Sequence, residues 1–153
     1  MLKPRQRQII EGMEKLLKGT FAVSNEKKVI SFCETSKKGG SFSPEFGSNT
    51  KYKYEDPINT FDVSSCTIDG VVSQEKVKLI KMDIEGAEYE ALLGAEKTIK
   101  TNKPGLAISI YHNAIDYYRI AELILHFVPD YNLSIRHHKT RHVDTVLYAW
   151  VGR

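Results

Sequence analysis

Cysteine is scarce in this chain. Cys33 and Cys66 are the only two among 153 residues. They make neither a metal-ligand spacing nor a disulfide framework, so both read as inert packing thiols in a reducing, intracellular setting. Long apolar runs are also missing. None approaches the roughly 20 residues that a membrane helix needs, and the opening MLKPRQRQII lacks the apolar centre of a secretion signal. The expectation is a soluble, cytoplasmic chain with no membrane partner. Charge of one sign is not in excess: 22 Lys and Arg against 19 Asp and Glu leave a net charge of +3, spread along the chain. No nucleic-acid partner is therefore expected. Lys51 and Lys53 alternate with Tyr52 and Tyr54, but one such stretch reads as a solvated loop or edge strand rather than a base-stacking platform. Neither a phosphate-binding loop nor a zinc signature occurs.

What is present suits one α/β domain spanning residues 1–153, with 41% hydrophobic residues to build a core. Residues 5–18 have helical spacing, with Ile9, Met13, Leu16 and Leu17 on one face, Pro4 at the first turn and Gly19 as the stop. Phe21–Ser24 and Val29–Cys33 read as short strands around a turn. Residues 35–60, rich in Ser, Gly, Lys and Asn, hold no sustained period and read as a long loop or lid-like insertion. Strand-like runs then fall at 61–68, 77–84, 106–111, 131–137 and 145–151, and helical spacing at 87–101 and 114–128. The near-continuous apolar runs at 77–84 and 106–111 predict parallel strands covered on both faces. The last two strands predict an antiparallel hairpin.

The stretch IKMDIEGAEYEALLGA, residues 80–95, carries the chemistry. An apolar strand ends there at Asp83, and Glu85 and Glu88 follow before a helix begins. Glu85 and Glu88 have a structural reading, since carboxylates are stabilised at a helix N-terminus. Asp83 fits that reading less well, because a charge at a buried strand end needs a partner. Lys81, on the same strand face, is one candidate. The functional reading makes the acids acceptors for ligand hydroxyls, a general base, or ligands to a hard divalent cation such as Mg²⁺. Ligands of open parallel sheets bind outside the carboxyl ends of the strands. Tyr111 and His112 are expected at the next such end.

The run Val77 to Glu88, with Leu92-Leu93-Gly94-Ala95 after it, resembles the signature of FkbM-type methyltransferases. Cys66-Thr67-Ile68-Asp69-Gly70, Pro104 to His112 and Asp144 to Ala149 are similar to further segments of that family, in the right order over roughly residues 60–151. Residues 5–33 match more weakly. The resemblance implies a class I methyltransferase-like (Rossmann-like) fold: a mostly parallel sheet with a C-terminal antiparallel hairpin. It implies S-adenosylmethionine as cofactor and a small-molecule methyl acceptor, often a sugar or natural product methylated on oxygen. It further implies catalytic roles for Asp83 and His112, substrate contacts for Glu85, Glu88 and Tyr111, and cofactor contacts for Asp69 and Asp83.

The chain departs from that family at one point. No Gly-rich loop of the G-x-G type precedes residue 5, and Lys3 stands where the family's second strand ends in an acid. The expectation is therefore a longer natural protein, of which this chain lacks the first strand and the cofactor loop. Without that strand the 77–84 strand would keep an open edge suited to self-association. Two other readings stand beside it: a non-catalytic α/β remnant serving as a binding or assembly module, and a metal-dependent enzyme built on Asp83 and Glu85.

Overall fold

The computed structural model describes residues 21–34, 40–42, 59–72, 76–139 and 144–152. In chain order they form β1 (Phe21–Val23), β2 (Val29–Glu34), β3 (Gly40–Phe42), β4 (Asn59–Cys66), α1 (Ile68–Val72), β5 (Leu79–Met82), α2 (Glu88–Leu93), α3 (Glu96–Asn102), β6 (Gly105–Ser109), α4 (Asp116–Phe127), β7 (Tyr131–His137) and β8 (Thr145–Val151). The helix expected over 5–18 lies outside the described residues.

Among the described residues there are two four-stranded sheets, ordered β1-β4-β2-β3 and β5-β6-β8-β7. In the second, β5 and β6 are parallel, with Met82 opposite Ile108. The hairpin of β7 and β8 is antiparallel, as expected, and β8 also runs antiparallel to β6. The expectation of a mostly parallel sheet is thus corrected. The returning strand β8 inserts beside β6, leaving one parallel pairing in this sheet. In the first sheet β1 and β2 do not pair with each other; β4 lies between them, parallel to β1 and antiparallel to β2.

Alternation along the second sheet directs one set of side chains into the core. Ile80, Met82, Leu106, Ile108, Leu147 and Ala149 are buried on that face. Ala91, Leu92, Ala95 and Ile99 of the α2–α3 segment and Ile120, Ile124 and Phe127 of α4 pack into the same cluster. These are the helix faces that the spacing predicts, and each large side chain buried there contributes about 1.5–3 kcal/mol. Coverage on both faces, expected for 77–84, does not hold for β5: Leu79 is 65% exposed and Lys81 is also exposed. The run reads as continuously apolar only because lysine stems alternate with its aliphatic residues. Among the described residues no strand pairs with the outer edge of β5.

Two other expectations are revised. The segment 35–60, read as a loop, contains β3 and the first residues of β4. The helix expected over 87–101 is divided at Gly94-Ala95 into α2 and α3. Gly94 is where the α2–α3 bend meets the chain just past β1. A Cβ there would stand 2.1 Å from the Ser24 carbonyl oxygen, so only glycine permits the approach. The Gly94 carbonyl leaves the helical ladder to accept the Asp69 N–H at 2.9 Å. The Asp69 carboxylate in return accepts the N–H groups of Lys97 and Thr98 at 2.9 and 2.7 Å, capping the first turn of α3.

Candidate functional site

Parallel pairing of β5 with β6 brings their carboxyl ends side by side, and the residues just past those ends form the site. Asp83 follows β5, and Tyr111 and His112 follow β6. The Tyr111 hydroxyl donates to Asp83 Oδ1 at 3.2 Å, and the Tyr111 and His112 rings lie 4.0 Å apart. Three carboxylates surround the imidazole. Nε2 is 3.8 Å from Asp83 Oδ1 and 3.5 Å from Glu85 Oε2. Nδ1 is 3.1 Å from Glu88 Oε1, within ion-pair range but out of line for a hydrogen bond.

The local chain path explains this convergence. Glu85 and Gly86 take successive positive φ angles, 57° and 98°, and the Ala87 N–H returns to the Ile84 carbonyl at 3.3 Å. This tight turn leaves Glu85 exposed and folds Glu88, the first residue of α2, inward. Glu88 is fully buried, and its Oε1 accepts the Ile84 N–H at 2.8 Å. Its Oε2 has no hydrogen-bond partner among the described residues. Glu88, expected as a substrate contact, is thus enclosed, with the His112 ring against it.

Electrostatics follow from the packing. Burial alone would push His112 down, but the Glu88 contact and the charges of Glu88, Glu85 and Asp83 outweigh it and hold the imidazole above its ordinary value. Tyr111 is pushed up to about 12, first by burial and then by the charge and hydrogen bond of Asp83. Tyr111 therefore stays a neutral donor to Asp83 at ordinary pH.

Of the residues expected at a site, Asp83, Glu85, Glu88, Tyr111 and His112 come together. Asp69 has another task, since both its oxygens cap α3. The expected cofactor contact of Asp69 would therefore have to share a carboxylate that already accepts one backbone N–H on each oxygen. Lys81 forms no ion pair with Asp83, whose polar partners are Tyr111 and His112. Sequence reasoning missed the support beneath the turn. The Asn113 amide donates to the Gly86 carbonyl at 3.4 Å and to Asp116 Oδ2 at 3.1 Å. The fully buried Asp116 also accepts from Arg119, whose guanidinium lies over the Tyr89 ring. The signal for this was Asn113-Ala114-Ile115-Asp116, a capping-type pattern at the start of a helix. Sequence reasoning also missed Lys139 and Asp144 at the end of the β7–β8 hairpin. They pair with each other, and the charge of Asp144 is felt at Tyr111.

The methyltransferase FkbM domain family matches residues 3–143. The chain belongs to the FkbM methyltransferase family. A crystal structure of methyltransferase FkbM from Methylobacillus flagellatus KT is similar, with 40% sequence identity and a TM-score of 0.56 over 58% of this chain. The matched region is 24% of that protein's chain, so this chain spans a minor part of its FkbM relative. No curated protein matches. Among the described residues no helix is long and apolar enough to cross a membrane.

Proposed function

We propose that this FkbM-family chain acts as an S-adenosylmethionine-dependent methyltransferase on a hydroxyl of a sugar or small natural product. The observation that carries the reading is the placement of Asp83 and His112 together at the carboxyl ends of two adjacent parallel strands, in a chain of a methyltransferase family. S-adenosylmethionine supplies an electrophilic methyl group on a positively charged sulfur. The residues fit such a group from one side: Asp83 and Glu85 are at least partly exposed and bring negative charge to the strand ends. Asp83 meets the cofactor in this reading, and Tyr111 and Glu85 orient the acceptor. Asp83 and His112 deal with the hydroxyl proton, which must leave as the oxygen gains the methyl group. Such proton handling contributes about 10²–10⁴ in rate. A divalent cation is the second group the cluster suits, because two partly exposed carboxylates face the His112 Nε2 atom.

The test is titration of S-adenosylhomocysteine into the folded chain, with transfer of labelled methyl from S-adenosylmethionine to a panel of hydroxylated sugars and natural products. Saturable binding and an ether-linked label are expected, with transfer falling about 100-fold in Asp83→Asn. A folded chain that neither binds nor transfers would overturn the reading.

A further inference from the structure

We propose that Asp83, Glu85 and His112 bind one divalent transition-metal ion, with Glu88 as the residue that orients the imidazole. The catalytic use of the ion rests on the methyl-transfer reading, whereas its binding does not.

The first argument is charge. Three carboxylates converge on a single imidazole, and among the described residues no lysine or arginine pairs with any of them. Glu88 is the most demanding of the three. It is fully buried and Oε2 has no partner. An ionised carboxylate in that position calls for a nearby positive charge. One imidazole shared among three acids supplies at most one, and only when protonated. A divalent ion balances the set better.

The second argument is geometry. One donor atom from each of Asp83, Glu88 and His112 lies within 4.8 Å of the others. The two imidazole nitrogens face different neighbours. Nδ1 faces Glu88, whose Oε1 is anchored by the Ile84 N–H. Metal-bound histidines commonly donate one ring N–H to a carboxylate while the other nitrogen holds the ion, and a small turn of the His112 ring would bring Nδ1 into line for that bond. Nε2 is buried, has no hydrogen-bond partner, and faces Glu85 at 3.5 Å and Asp83 at 3.8 Å. Neighbouring ligands in a tetrahedral site with bonds of about 2.0–2.2 Å stand roughly 3.3–3.6 Å apart. His112 Nε2 is thus within small side-chain rotations of sharing an ion with each of the two carboxylates. Asp83 and Glu85 have exposures of 39% and 55%, so both can make those rotations.

The donor types select the ion. Imidazole with carboxylates suits Zn²⁺ or Mn²⁺ better than Mg²⁺ or Ca²⁺, which prefer oxygen alone. An acceptor hydroxyl placed on such an ion becomes more acidic, as metal-bound water does. Asp83 and His112 would then hold the ion that acidifies the hydroxyl, and the proton would pass to solvent, since both side chains would be occupied as ligands.

The experiment uses the full chain stripped with a chelator. Zn²⁺, Mn²⁺ and Mg²⁺ are titrated in by calorimetry, and Co²⁺ is followed by its visible absorption. One Zn²⁺ or Mn²⁺ per chain is expected, with Mg²⁺ weaker by about 100-fold. Glu88→Gln should weaken binding by about 10–100-fold. Because Glu88 is buried, that variant is accompanied by Asp83→Asn and Glu85→Gln, which change exposed positions and spare the core. Each should lower affinity by at least about tenfold and alter the Co²⁺ spectrum. No stoichiometric ion on the folded chain, or unchanged affinity in both exposed-site variants, overturns the proposal. S-adenosylhomocysteine titrated into the stripped chain separates the two readings. Its binding without ion binding removes the metal site alone; ion binding without it removes the methyl-transfer reading alone.

Discussion

Glu85 should be a residue that the fold tolerates and does not prefer. Its φ of 57°, followed by 98° at Gly86 and the Ala87-to-Ile84 hydrogen bond, matches the φ pattern and hydrogen bond of a type I′ turn. Such turns favour Asn-Gly, because asparagine accepts the left-handed region. A glutamate there brings its Cβ too close to the following carbonyl, at roughly 1–2 kcal/mol. It also adds a third carboxylate to a crowded site, with Oε2 3.5 Å from the His112 ring. Glu85→Asn should relieve part of both costs. Half of the backbone term alone gives a gain of about 0.5–1 kcal/mol, or roughly 2–4 °C in Tm for a chain of this size. The measurement is thermal and urea unfolding in the presence of a chelator, so that a bound ion does not offset the strain. Zn²⁺ affinity should fall in the same variant, since strain held at a site is often tied to its use. A Tm in chelator equal to or below that of the unaltered chain would refute the argument, and would mean that Glu85 makes a compensating contact.

Three other outcomes are expected. Gly94→Ala should destabilise by about 1–3 kcal/mol, measured by urea unfolding, because the Ser24 carbonyl that the new Cβ meets is backbone and has no rotamer to yield; a neutral result would mean that the α2–α3 bend does not pack against Ser24. Asp69→Ala should cost about 1–3 kcal/mol by leaving the Lys97 and Thr98 N–H groups uncapped, with faster hydrogen exchange confined to α3 and α1. Tyr131 is buried, donates to the Pro104 carbonyl at 2.6 Å and is pushed by burial up to about 12. The fold thus favours the neutral phenol, so its stabilisation is complete below the unfolded value near pH 10 and is lost as pH rises toward about 12. Tyr131→Phe should lack that alkaline loss in Tm, and equal alkaline slopes in the two proteins would contradict it.

Much of the second half of the chain is legible from its pattern. The strands at 131–137 and 145–151 fall where alternation and the turn residues place them. The apolar face of α4 is legible because helix spacing and burial agree at Ile120, Ile124 and Phe127. Less legible are the features set by contacts between segments distant in sequence. Local pattern reads 87–101 as one helix, and the break at Gly94 arises because Ser24 and Asp69 claim its surroundings. Nothing local distinguishes the pairing of β4 with both β1 and β2 from a simple β1–β2 hairpin. For Asp69, the pattern gives an acid near a turn, while its partners lie on α3.

The same division runs through the candidate site. The sequence by itself determines which groups are available: acids at 83, 85 and 88, an aromatic and an imidazole at 111 and 112, and a glycine at 86 that allows a tight turn. It also determines that both groups of residues end apolar strands, because alternation and strand length are local properties. Only the tertiary structure decided that those two ends lie adjacent, through the parallel pairing of β5 and β6. It also divided three chemically similar carboxylates into different tasks. The turn at Glu85-Gly86 leaves Glu85 in solvent and sends Glu88 beneath His112, and a carboxylate's role depends on its exposure and partners, which arise when distant segments pack.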